Sequence, residues 1–380
     1  MKSYSNVYET LLDKKLIARC FWDASKGKRS FKRIRNILLN LEQHVNKVYE
    51  IIKSQTFKSD NHTEKKINEN SSKKTRVIIK PNYAYEQVIH HLAMSHFKEV
   101  VTKKLYHLSC ANIPGMGIKF GDKFVTKWVK QLGNKKLYIL KMDIHHYYNS
   151  IDRNILKMKL RKLYKDDKYY NLLCEIIDYD HVENGVGIPL GFYSSQWFGN
   201  FYLLDFDYYV KQTLNAKYYI RYADDMVIFG TNKKELHKMR EQISEYLKNQ
   251  LHLELKGNWQ VFRFEYYDKK TDRVRGRALD FLGYVYHYNR KTLRKSILCR
   301  SRRKALRIKK AGKITWYSAT QMISYLGWYS NSDTYNYFKE YIYPIVKPKA
   351  LRRVISKHVK EVNKNGTIKW SDIRSKTKIA

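Results

Sequence analysis

The sequence predicts a mixed α+β fold in which an antiparallel sheet is packed by helices. One observation is an apolar run of strand length that ends at an acid, Leu137-Tyr138-Ile139-Leu140-Lys141-Met142-Asp143-Ile144. A second is the stretch Tyr219 to Gly230, where apolar and aromatic residues flank Tyr222-Ala223-Asp224-Asp225; it reads as strand, tight turn, strand. The third is the order of patterns: strand ending in Asp, helices, Gly-rich loop with helix, strand-Asp-Asp-strand, helix, strand. At 380 residues the chain is long enough for a large core and two or three subdomains.

Residues 5–53 read as helical, with Tyr8, Leu11, Leu12 and Ile17, then Ile34, Leu38, Leu41 and Val45, at helix-like spacings. Residues 54–74 are polar and charged, which predicts an exposed loop. Thr75-Arg76-Val77-Ile78-Ile79-Lys80-Pro81 predicts a short strand stopped by proline, and a helix follows over about 84–104 with Val88, Leu92 and Phe97 on one side. The run at 137–144 suits a buried strand that delivers Asp143 to a cleft, with helices around 153–178 after it. Gly185-Val186-Gly187-Ile188-Pro189-Leu190-Gly191 is a loop rich in turn signals. One helix over about 194–214, the Asp-Asp hairpin and a helix over 233–250 come next. Residues 251–264 and 278–286 read as strands. From 291 onward the chain is basic and mostly helical, with Arg300-Ser301-Arg302-Arg303-Lys304 and Lys309-Lys310, and no internal repeat is visible.

Lys and Arg number 75 against 35 Asp and Glu, a net charge of +40. Such a balance speaks to partners rather than fold: it favours a polyanion, nucleic acid ahead of a membrane surface, unless the whole source proteome is basic. No run of 18 apolar residues exists, which predicts no transmembrane helix, and Met1-Lys2-Ser3-Tyr4 has no apolar secretory region. The 33 tyrosines suit base stacking and sugar contacts, and equally an ordinary core. Cys20, Cys110, Cys174 and Cys299 have no paired spacing, which argues against a zinc ribbon or disulfide framework and suits a reducing cytoplasm.

Two adjacent carboxylates such as Asp224 and Asp225 repel each other and shift each other's pKa. A cation relieves that repulsion, and Mg²⁺ prefers carboxylate oxygens; a solvated turn is the competing reading. If its strand neighbours theirs in the sheet, Asp143 joins them although 81 residues separate it from Asp224. Three carboxylates can hold two divalent ions, the arrangement that serves in-line phosphoryl transfer.

The ordered set Lys141-Met142-Asp143-Ile144-His145-His146-Tyr147-Tyr148, Ile188-Pro189-Leu190-Gly191-Phe192-Tyr193-Ser194-Ser195-Gln196, Tyr222-Ala223-Asp224-Asp225 and Phe281-Leu282-Gly283-Tyr284 resembles a reverse transcriptase palm. The resemblance extends less sharply through Arg76 to His91 and Ser324-Tyr325-Leu326-Gly327-Trp328. It implies a right-hand polymerase: an N-terminal extension and fingers over 1–135, a palm over 136–290 that lends part of 153–185 to the fingers, and a basic helical thumb over 291–380. The implied activity is RNA-directed DNA polymerase with two Mg²⁺ ions, acting on template RNA, a primer that becomes cDNA, and dNTPs, with no membrane. The resemblance makes Asp143, Asp224 and Asp225 catalytic, with the Ile144 carbonyl as a further metal ligand. Lys74 and Arg76 would meet the nucleotide phosphates, with the backbone amides near His146 and Tyr147. Tyr148 would lie under the incoming sugar, unless it is a plain core residue. Phe281, Leu282, Gly283 and Tyr284 would grip the primer end, unless they form a simple core hairpin, and Lys256 is a candidate proton donor to pyrophosphate.

Reverse transcriptases usually carry Gln-Gly and Ser-Pro where this chain has Leu190-Gly191 and Ser195-Gln196. That departure, with Lys256-Gly257-Asn258-Trp259-Gln260-Val261-Phe262, resembles the enzymes of diversity-generating retroelements, which are error-prone opposite template adenine. By this resemblance Leu190 would remove a polar check on the nascent pair, unless it serves ordinary loop packing, and Gln196 would orient the template or cap its helix. A bacterial or phage-encoded source and a small basic accessory protein follow from the same resemblance. Phage-defence reverse transcriptases share parts of the pattern; an RNA-holding maturase and a metal nuclease are further alternatives.

Overall fold

The computed structural model describes residues 3–29, 31–60, 62–69, 74–133, 136–183 and 185–364, with backbone alone at 69, 74 and 362–364. The N-terminal helices Lys14–Ala24, Lys32–Leu39 and Leu41–Lys53 each bury one apolar stripe, with Phe21, Leu38 and Val48 fully enclosed. Strands β1 (His62–Glu69) and β2 (Lys74–Pro81) then pair antiparallel, Ile67 facing Arg76. The loop expected over 54–74 is thus half strand. Side chains 63–68 are exposed, so no inward-outward alternation marked β1; backbone pairing to β2 makes the strand. The largely buried helix Val88–Lys104 follows a π-helical turn at Tyr83–Gln87 and packs against Lys14–Ala24.

The central sheet contains β3 (Tyr138–Asp143), β4 (Tyr218–Tyr222), β5 (Asp225–Gly230) and β6 (Gln260–Arg263) in the order β4-β5-β3-β6, every neighbour antiparallel. Its inner strands are covered on both faces. Ile139, Leu140 and Met142 of β3 and Met226 to Phe229 of β5 are all buried, which is why they read as continuous apolar runs. Helix Lys233–Leu251 packs on β3, β5 and β6. Helix Ile118–Leu132, which the sequence reading left unassigned, sets Trp128 edge-on against Tyr218 and Phe229.

The helix expected over 194–214 is broken into Tyr193–Tyr202, Leu204–Tyr208 and a π-helical turn Tyr209–Thr213, with Leu203 bent to φ −90°, ψ 6°. In 251–264 only β6 is strand. Past it come a short hairpin of β7 (Tyr266–Asp268) and β8 (Arg273–Arg275), then a three-stranded sheet of β9 (Leu279–Phe281), β10 (Tyr284–Tyr286) and β11 (Lys291–Leu293), ordered β11-β10-β9. Helices Lys295–Lys310, Trp316–Tyr329, Tyr335–Tyr341 and Pro348–Lys364 complete the described chain, as the basic helical reading from 291 expected. One connected apolar core runs from Val7 to Leu351. Among the described residues no helix is long and apolar enough to cross a membrane.

Candidate active site

Antiparallel pairing brings the distant acids together. β3 ends at Asp143, which lies directly across from Asp225, the first residue of β5. Between β4 and β5 the chain turns in two residues, Ala223 and Asp224, with Ala223 at φ 55° and Tyr222 facing Asp225. The Ile144 N–H donates to the Asp224 carbonyl at 3.3 Å, which ties the turn to the end of β3. The condition set by the sequence, that the two strands be sheet neighbours, is met.

Electrostatics at this point are those of crowded acids. Burial, then the Asp143 carboxylate beside it, push the Asp224 carboxyl up to about 6. Burial raises the Asp225 carboxyl as well, against the pull of Lys141. The Lys256 ammonium forms an ion pair with Asp143 Oδ2, and the Lys256 N–H donates to the Asp143 carbonyl at 2.8 Å. Asp143 Oδ1 is buried with no hydrogen-bond partner among the described residues. Those residues hold no ready-made group of three His, Cys, Asp or Glu ligands around one point. What they do hold fits a divalent cation: two mutually repelling carboxylates, Asp143 and Asp224, with one buried oxygen unpartnered, while the Lys256 ammonium on Asp143 Oδ2 stands in for part of the charge such an ion would bring. Beside the acids opens a cleft of about 410 Å³ whose lining includes Lys141, Asp143, Asp225, Asn258, Arg277 and Arg294.

Tyr148 is half-buried, its ring against Gly199, where an added Cβ would lie 3.1 Å from Tyr148 Cε1; burial and nearby Asp224 raise its phenol to about 12. Tyr147 is buried and its hydroxyl donates to the Gly199 carbonyl, so only its backbone can meet a ligand. His145 and His146 are exposed, and His146 sits at φ 43°. The Gly-rich loop is braced from both ends: the Ile188 N–H donates to the Tyr148 carbonyl and the Ile79 N–H of β2 to the Leu190 carbonyl, each at 2.8 Å. Gly191 has φ 116°, and a Cβ there would collide with the Ile79 carbonyl. Gly191→Ala is expected to cost about 1–3 kcal/mol through backbone strain alone, and calorimetric melting should fall accordingly.

Arg76 is exposed on β2, the strand this loop touches, and the Lys74 side chain lies outside the described residues. Gln196 is exposed and lies inside helix Tyr193–Tyr202, not at its start, so the capping role is corrected. Leu282 and Gly283 form the two-residue turn between β9 and β10, at φ 54° and 84°, the pattern of a type I′ hairpin. The side chains of Phe281, Leu282 and Tyr284 are buried, and the space over Gly283 is filled by Trp328, 2.8 Å from where a Cβ would stand. The close approach that Gly283 permits is therefore to Trp328; a primer could meet this turn only through backbone.

A family model described as reverse transcriptase (RNA-dependent DNA polymerase) matches residues 64–286, more than half of the chain. The chain belongs to the reverse transcriptase family. The match runs from β1 through β10, so it takes in both acid-bearing strands. Comparison with curated proteins yields no match. Among solved structures, the chain is similar to the apo telomerase of Candida tropicalis truncated from its C-terminal domain, at 17% identity and TM-score 0.40, with 59% of this chain and 53% of that one covered. It is similar to the apo telomerase of Candida tropicalis at 15% identity and TM-score 0.44 (64% and 49%). It is also similar to the telomerase of Candida albicans in complex with a TWJ fragment of telomeric RNA, at 11% identity and TM-score 0.44 (82% and 62%). The chain thus spans about half to three-fifths of the length of these structures.

In this reverse transcriptase the support beneath the acids escaped sequence reading. Arg221, fully buried on β4, bonds Asp207 through Nε at 2.8 Å and Nη2 at 2.5 Å, Ser109 Oγ at 2.7 Å and the Ala223 carbonyl at 2.9 Å. It pins the acid turn from below. An Arg directly before Tyr222-Ala223 in an apolar strand was the available signal, because a lone cation there must find a buried partner. Lys141, two residues before Asp143, donates to the Asp280 carbonyl at 2.7 Å and links β3 to β9.

Proposed function

We propose that this chain is an RNA-directed DNA polymerase that extends a primer along an RNA template. The observation that carries this reading is the register of Asp143 against Asp225, with Asp224 at the adjoining turn and a cleft lined by both acids and cations alongside. Asp143 and Asp224 would hold two Mg²⁺ ions, with Asp225 completing the site and the Ile144 carbonyl as a further ligand. Bound there, such ions activate a primer 3′-hydroxyl and neutralise charge on the leaving pyrophosphate. Tyr148, wedged by Gly199, limits the room beneath the incoming sugar and disfavours a 2′-hydroxyl. Arg76, with Lys74, reaches for the triphosphate from β2, as guanidinium does in two-pronged contacts, and the amides near His146 and Tyr147 complete that cradle. The backbone at Leu282 and Gly283 bears on the primer end. In this reading residues 1–135 are extension and fingers, 136–290 palm, and 291–380 a thumb that follows the template–primer backbone without reading sequence.

The finer reading is an error-prone polymerase of a diversity-generating retroelement, with template RNA, dNTPs and a small basic accessory protein as partners, in a bacterial or phage setting. Leu190 supports it: an apolar side chain stands at the nascent base pair, where discrimination depends on polar groups that the wrong partner leaves unpaired. The alternative within the family is a phage-defence enzyme. Purified chain with RNA template, DNA primer, Mg²⁺ and dNTPs should lengthen the primer; degradation instead would indicate a nuclease, and tight RNA binding with neither would indicate a maturase-like protein. Sequencing the cDNA should show substitutions concentrated at template adenines, fewer in Leu190→Gln. An unchanged error pattern in that variant counts against the mutagenic role.

A further inference from the structure

The hairpin of β7 and β8 does nothing for the core. No residue from Tyr266 to Arg277 is buried, and isolated two-stranded hairpins are at best marginally stable in water. Yet this one is firmly fixed. At its root the Arg277 N–H donates to the Arg263 carbonyl and the Glu265 N–H to the Arg277 carbonyl, both at 3.0 Å. Gly276, at φ 84°, lets the returning chain press against β6; a Cβ there would stand 2.5 Å from the Phe264 carbonyl. The Arg263 guanidinium lies 3.7 Å over the Tyr266 ring, and Tyr267 stacks with Tyr288.

Both acids of the hairpin are spent inside it. Asp268 accepts from the Lys270 N–H at 3.1 Å and the Thr271 hydroxyl at 3.0 Å and pairs with Arg275 at 3.2 Å, while Asp272 accepts from the Tyr267 hydroxyl. Lys269, Lys270 and Arg273 are exposed with no carboxylate partner among the described residues. At the root, Arg277 bonds Gln260 at 2.8 Å, and these two residues line the same cleft as Asp143 and Asp225. A rigid, acid-quenched, cation-tipped arm therefore starts at the rim of the site.

We propose that this arm, Tyr266 to Arg277, is a phosphodiester-backbone contact that continues the acid cleft along the β6 edge and holds nucleic acid engaged at the site. Rigidity matters because a contact held in place before binding loses less entropy on binding. An acidic protein partner would satisfy the charge but would have no reason to lie against the cleft of the acids. The inference rests on the polymerase reading for the identity of the ligand.

The test uses the whole chain with Lys269→Ala, Lys270→Ala and Arg273→Ala combined, against a control combining Lys233→Ala, Lys234→Ala and Lys238→Ala on helix Lys233–Leu251. Fluorescence anisotropy across a KCl series, with single-stranded RNA and with an RNA–DNA primer–template, gives the salt slope. Three lost phosphate contacts should reduce the slope of log K against log[KCl] by about 2.1–2.7, at roughly 0.7–0.9 per contact. The control should keep the parental slope, and Lys269→Arg, Lys270→Arg and Arg273→Lys together should restore it. A change confined to single-stranded RNA assigns the arm to incoming template; one confined to the hybrid assigns it to the product duplex; either supports the proposal. Equal slopes for parent and arm variant on both ligands, or equal losses in arm and control variants, overturn it. Full primer extension with an unchanged slope would sink the arm alone, whereas a lowered slope without extension would sink the polymerase reading alone.

Discussion

Asp224→Asn should abolish primer extension while raising the melting temperature of the ion-free protein. The rate loss is about 10³-fold or more, since a carboxylate that holds catalytic ions carries several kcal/mol of transition-state stabilisation and each 1.36 kcal/mol is a factor of about ten. The gain in stability has the opposite origin. Burial and Asp143 hold the Asp224 pKa above the ordinary carboxylate value, so the ionised form is penalised in the folded chain. For an acid with a raised pKa, stability is fully present below the unfolded value near 4 and is lost as pH rises through the folded value. Asn carries no such penalty. Melting in EDTA should therefore favour the variant by a few degrees at about pH 7.5 and show no difference at about pH 4. A variant that still extends primers, or that melts lower at neutral pH, would contradict the role and the environment assigned to Asp224.

Arg221→Ala should be the most destabilising single change near the site, at about 3–5 kcal/mol, the usual cost of stripping one partner from a buried ion pair. Asp207 would be left as a fully buried, uncompensated carboxylate, Ser109 would lose its guanidinium donor, and the Ala223 carbonyl would lose the bond that fixes the acid turn. Urea unfolding should show the loss directly. Primer extension measured well below the unfolding midpoint should also fall, because Ala223 at φ 55° no longer has its anchor. Arg221→Ala combined with Asp207→Ala should recover part of the stability, since no lone charge is then buried. Full activity with native stability in the single variant would show that the turn holds itself.

The sheet centre was legible because buried inner strands write themselves as apolar runs, and Asp143 and Asp225 each stand at the end of one. Their pairing was legible only as a condition, since register depends on which strands become neighbours. β1 was missed because its exposed side chains carry no period, and β7–β8 because its strands are three residues each and bury none of them. Helix Ile118–Leu132 had a legible signal, since Val125, Trp128, Val129 and Leu132 follow a helical spacing. The Lys256–Asp143 pair spans 113 positions and the Arg221–Asp207 pair joins a strand to a broken helix. Neither has a local pattern; Arg221 and Asp207 are visible only as charges that burial obliges to meet, whereas Lys256 and Asp143 are partly exposed.

Leu282 and Gly283 carry one more consequence. Leu282 Cδ1 would stand 2.8 Å from a Cβ at Gly121, and Trp328 seals Gly283 from the opposite direction, so two glycines let one hairpin corner be clamped between helix Ile118–Leu132 and helix Trp316–Tyr329. That corner is held by packing from both helices. In the polymerase reading proposed above, any movement of helix Trp316–Tyr329 would have to carry this corner along with Trp328 or draw the indole away from Gly283.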